Sequence, residues 1–147
     1  MNKQPEYFWS EQYGTASCTL FYKQYEFTGV ANCHPDDQDM MSKLTGQIIA
    51  EMRATIKYLQ FIRDCELRPQ LKSLYQLYHS MNHSKYFDPK SYEAKMLYRQ
   101  ISMLKEDLTN VKIEIANIKR SLREYINQKE KDHQKIREHH KLAQDNQ

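Results

Sequence analysis

Residues 97–125 read LYRQISMLKEDLTNVKIEIANIKRSLREY, and their apolar residues step by four and three without a miss. Leu97, Ile101, Leu104, Leu108, Val111, Ile115, Ile118, Leu122 and Tyr125 fill the a and d positions of four heptads, with Ile101 at a. Position g holds Asp107 and Glu114, and position e holds Lys105, Lys112 and Lys119. A parallel self-pair sets Asp107 against Lys112 and Glu114 against Lys119, whereas an antiparallel one sets like charges together. Each exposed pair is worth only ~0.2–1 kcal/mol, so charge selects orientation and the apolar seam supplies affinity. The pattern predicts a homodimer by parallel coiled coil, with those nine residues as the interface; a trimer also suits the charges. The same stripe serves a helix packed on the chain's own 37–67 helix. Ile113 and Ile126, off the seam, favour that wider burial.

No Gly or Pro follows Pro89. Residues 89–147 therefore read as one long helix, with Asp88 as N-cap and Pro89 at its first position. Past Tyr125 the seam fails, with Lys129 at a and Asp132 at d, and 127–147 form a charged tail. From Lys119 onward there are eight bases against five acids. Lys119, Arg120, Arg123, Lys129, Lys131, Lys135, Arg137 and Lys141 are thus candidate contacts for nucleic acid or an acidic partner. A leucine-zipper DNA reader carries its basic segment before the zipper; here the basic excess follows the seam.

Residues 1–88 are of a different kind. Of the aromatic residues (11 Tyr, 5 Phe and 1 Trp), only Tyr125 follows Tyr98. Residues 16–33, ASCTLFYKQYEFTGVANC, read as a β-hairpin with Lys23-Gln24 as its turn, Leu20 opposite Phe27 and Tyr22 opposite Tyr25. Lys-Gln is a poor two-residue turn, so a shift of one or two residues stays open. One hairpin face gathers Cys18, Leu20, Tyr22, Tyr25, Phe27, Gly29, Ala31 and Cys33 and needs cover. A helix over about 37–67, capped by Asp36 or Asp37 and ended by Pro69, supplies it. Gly29 and Gly46 suit a close approach of that helix. A shorter helix over about 70–81 follows. The fold class is mainly α with a small β-hairpin, a hairpin-and-helix head followed by a long C-terminal coiled-coil helix.

Composition excludes several classes. The net charge of +3 is no histone-like coat. Three Gly and four Pro disfavour a sandwich or barrel. Apolar runs of three residues cannot span a membrane, and MNKQPEYFWSEQ lacks the basic end and apolar run of a signal peptide. Three cysteines without metal-like spacing point to a reducing cytoplasm. No phosphate-binding glycine loop, HExxH, GxSxG or CxxC occurs. Cys33-His34 is an adjacent thiol and imidazole, but catalysis needs proximity in space. Cys18, Cys33, His34 and Cys65 lack the spacing of a zinc knuckle. His79 and His83 are a legal i, i+4 metal pair without nearby carboxylates, and His139-His140 sits in the tail. Asp36, Asp37 and Asp39 fit a helix start. The expectation is no enzyme, no cofactor and no metal.

The stretch FTGVANCHPDD (27–37), followed by Gly46, Ala50, Arg53 and Ala54, is similar to a pattern in small accessory proteins of phages and mobile elements of Gram-positive bacteria. There a strand ending in G-x-A-x-C-x-P-x-D leads into a helix with a mid-helix Gly. A related pattern occurs in actinobacterial proteins whose fold is like the double-stranded-RNA-binding domain. The resemblance spans residues 25–56. It implies a small cytoplasmic protein of the infected bacterial host that binds a host protein, in some cases inhibiting a defence system such as a CRISPR nuclease. The likeness also implies RNA binding, yet residues 16–67 carry five bases against seven acids, which is no duplex-binding face. The expected function is non-enzymatic binding of a host protein, with nucleic-acid binding through the basic C-terminal helix as the alternative.

Overall fold

The computed structural model describes residues 3–33 and 42–147, an α+β chain with a three-stranded antiparallel sheet and a long C-terminal helix. The strands are β1 (Glu6–Ser10), β2 (Thr15–Tyr22) and β3 (Tyr25–Asn32), in that order across the sheet. The helices are α1 (Lys43–Phe61), α2 (Arg68–Asn82) and α3 (Tyr92–Asp145). The chain divides into two compact units, residues 1–58 with 117–147, and residues 59–116.

In the first unit, β2 and β3 form the expected hairpin in the expected register, with Leu20 opposite Phe27 and Tyr22 opposite Tyr25. The poor turn is accommodated because Lys23 takes a left-handed φ of 54°, which matches the twist of a tight hairpin. A third strand, β1, pairs with β2 from Glu6↔Thr19 to Ser10↔Thr15. Its sequence, EYFWS, has three aromatics in a row and no alternation, so it carries no period-two signal.

The core is built of small residues. Ala16, Cys18 and Ala31 of the sheet meet Ala50 and Ala54 of α1, with Trp9, Leu20 and Ile49 around them. Small side chains let a helix lie low on a sheet, and Gly29 takes this to its limit. A Cβ there would collide with the Ala50 carbonyl oxygen and the Ala54 amide nitrogen. Gly46 is buried as well. At the hairpin end the Tyr58 ring stands edge-on to Tyr22 and Phe27, at centroid distances of 5.4 and 5.7 Å. Ser42 caps α1, its Oγ accepting the Thr45 amide at 3.0 Å. The expected caps Asp36 and Asp37 lie outside the described residues, as do Asp39 and His34.

In the second unit the chain passes from α1 to α2 without leaving helical conformation. Residues Ile62–Leu67 form a π-helical turn, and the Arg68 amide donates to the Arg63 carbonyl five residues back. Pro69 explains the widened turn: it has no N–H, and its ring presses on the preceding turn of a regular helix. The sequence reading expected Pro69 to end the helix. Instead the wider turn absorbs it. Asp64 braces this turn by accepting from Arg63 Nε at 2.8 Å and Arg68 Nη1 at 2.7 Å. After α2, the cap expected at Asp88 is made by Ser91, whose Oγ accepts the Ala94 amide at 3.2 Å. Asp88 instead accepts the Lys90 amide at 2.9 Å and forms the turn before the helix.

Candidate protein-interaction surface

All three cysteines are free: Cys18 buried, Cys33 half-buried and Cys65 exposed. Burial pushes the Cys18 thiol up, with the Glu51 carboxylate adding to it, and burial alone pushes Cys33 up. A nucleophilic cysteine needs the opposite shift. His79 and His83 stack edge-on with ring centroids 4.2 Å apart at the end of α2. Among the described residues no group of three or more His, Cys, Asp or Glu side chains converges on a metal-sized site. Tyr7 donates to Glu51 Oε2 at 3.2 Å, and its phenol is pushed up to about 12 by partial burial, then by the Glu51 carboxylate.

The seam is covered to differing degrees within one chain. Leu97, Ile101 and Ile115 are buried, while Leu104, Leu108, Val111, Ile118, Leu122 and Tyr125 are half-buried. In the first unit Ile118 shares a groove with Ile48 and Met52 of α1. In the second, Leu104 and Met103 line a groove of about 600 Å³ with Leu74 and Pro69 of α2. The off-seam Ile113 stays exposed, whereas Ile126 is half-buried.

The basic residues lie along the last part of α3. All are exposed except Lys129, which is half-buried with its Nζ 5.4 Å from the Tyr125 ring centroid. At 100° per residue, Lys119, Arg123, Arg137 and Lys141 follow one line, with Arg120, Lys131 and Lys135 beside it. Glu124, Glu130 and Glu138 fall in the same half of the circumference, so the arc is of mixed sign.

A denser feature lies in the second unit, where α2, the loop 83–91 and the start of α3 bring tyrosines together. The Tyr78 ring meets Phe87 at 6.3 Å and Tyr98 at 6.0 Å, both edge-on. Tyr98 is 62% exposed and Tyr86 is 88% exposed. Alongside, Lys105 Nζ lies 5.2 Å from the centroid of Tyr75, and the Tyr75 hydroxyl raises the lysine's pKa by hydrogen bonding. Edge-on stacking ties Tyr78 to Phe87 and Tyr98, while Tyr86 and the outer side of Tyr98 stay open to solvent. Tyr is favoured at interfaces because its ring buries area at low entropy cost and its hydroxyl tolerates water. Sequence reading noted the tyrosines but not their convergence. The signal was the spacing of Tyr75 and Tyr78 on one side of α2.

Comparison with known proteins finds no matching family model, no matching curated protein and no matching solved structure.

Proposed function

We propose that this chain is a non-enzymatic binding protein whose partner is another protein, engaged through the aromatic surface of Tyr75, Tyr78, Tyr86, Phe87 and Tyr98. The observation that carries the reading is the Tyr78 ring held edge-on to Phe87 and Tyr98 at the α2–α3 junction, with Tyr98 and the neighbouring Tyr86 open to water. An open, pre-ordered aromatic surface loses little side-chain freedom on binding and is rich in the residue types that anchor interfaces. The resemblance of residues 25–56 to phage and mobile-element accessory proteins supplies the context. The proposed partner is a protein of the bacterial host, and a defence nuclease is one such target.

A second reading rests on the exposed bases of α3, Lys119 to Lys141. Binding of nucleic acid there would weaken steeply with salt. The interspersed glutamates make it the weaker reading.

The test is capture from a Gram-positive host lysate with the tagged full chain, with and without nuclease, beside the variant Tyr86→Ser/Tyr98→Ser. The proposal predicts a discrete protein that survives nuclease and is lost with the variant. Capture abolished by nuclease and indifferent to the variant would transfer the function to the basic helix.

A further inference from the structure

The two edges of the sheet are treated differently, and the difference follows from the ladder. The Cys33 amide donates to the Gly14 carbonyl at 2.9 Å, which fixes the alternation of an antiparallel pair. Even-numbered residues of β2 turn their backbone groups to β3, and odd-numbered ones turn theirs to β1. With the observed registers, the backbone groups of Glu26, Thr28, Val30 and Asn32 point out from the β3 edge. Those of Tyr7 and Trp9 point out from the β1 edge.

The β3 edge is blocked by charged side chains from α1. Lys57 Nζ donates to the Thr28 carbonyl and Arg53 Nη1 to the Val30 carbonyl, each at 2.6 Å. That is a recognised way of closing an edge. Among the described residues, no side chain or backbone group bonds the outward N–H and C=O groups of Tyr7 and Trp9.

We infer that β1 pairs edge to edge with β1 of a second copy of this chain, forming a symmetric six-stranded antiparallel sheet. One register fits. A two-fold axis through Phe8 sets Tyr7 opposite Trp9 of the partner and Trp9 opposite Tyr7, so all four outward groups on each copy are satisfied. The neighbouring symmetric register, centred on Tyr7, would set Trp9 against Pro5, which has no N–H to give. Centring on Phe8 also opposes Glu6 to the uncharged Ser10. It brings two Phe8 rings together at a non-hydrogen-bonded pair, where side chains approach most closely. Phe8 is 62% exposed on the face opposite α1, free for that contact. A five-residue strand makes a small interface, so the dimer dissociates on dilution. This pairing is independent of the aromatic surface at the α2–α3 junction.

The test is sedimentation of the full chain across the micromolar range, with amide hydrogen exchange read at Tyr7 and Trp9. The expected result is a mass rising from 17.7 kDa toward twice that value, with both amides becoming protected as it rises. Phe8→Glu, at an exposed position, should leave the circular dichroism unchanged and hold the chain at the monomer mass. In a Cys33→Ser/Cys65→Ser background, Phe8→Cys should form a disulfide-linked dimer under mild oxidation. A monomer at every concentration, or a dimer that Phe8→Glu leaves intact, overturns the inference. The second outcome would place the contact elsewhere, the coiled-coil seam first.

Discussion

Gly29 lies beneath the α1 backbone at Ala50 and Ala54 with no room for a methyl group. Gly29→Ala should therefore lower stability by about 2–3 kcal/mol, the cost of overpacking against backbone that has little freedom to yield. Urea unfolding measures it, and a change below about 0.5 kcal/mol would refute the close approach. Tyr7 supplies a pH signature. Its folded pKa is about 12 against an ordinary 10.0, so between those values the folded chain holds a proton that the unfolded chain has lost. Stability from this group is complete below pH 10 and is lost as pH rises toward 12. The melting midpoint of the wild type should fall more steeply across that window than that of Tyr7→Phe. The thiols are ordered too. Cys65, exposed, should label fastest, Cys33 more slowly, and Cys18 only on unfolding.

Elements show where local sequence is enough and where it is not. The β2–β3 hairpin was legible because its alternating pattern gathers Cys18, Leu20, Gly29 and Ala31 on one face, although the poor Lys23-Gln24 turn left its register open by one or two residues. The long helix was legible because nothing after Pro89 breaks it. β1 was not, since Tyr7-Phe8-Trp9 has no period and only a neighbouring strand makes it one. The cap of α3 was misassigned because Asp88 is as good in isolation as Ser91. Pro69 misled because a widened turn does not show in sequence. Of the candidate site, the tyrosines were visible, but their meeting depends on how the loop 83–91 returns the chain. Two predictions belong here. Ser91→Ala should cost about 1 kcal/mol of stability by uncapping α3. Arg53→Ala/Lys57→Ala should open the β3 edge, and light scattering should show faster aggregation than for wild type at equal stability.

At the scale of the molecule, the proposed binding surface and the sheet–helix core draw on different parts of the chain. The small-residue core holds α1 on the sheet, the seam of α3 is buried to differing degrees along its length, and the aromatic surface stands at the α2–α3 junction. The central claim is that partner affinity resides in that surface and not in the charged end of α3. It is tested by titrating the captured host protein against wild type, Tyr86→Ser/Tyr98→Ser and Lys131→Gln/Lys135→Gln/Arg137→Gln/Lys141→Gln, each at low and high salt. The expected result is at least a tenfold loss of affinity for the tyrosine variant, about 1.4 kcal/mol, and little change with the tail variant or with salt. Affinity that survives loss of the tyrosines but collapses with the tail variant and with salt would contradict it.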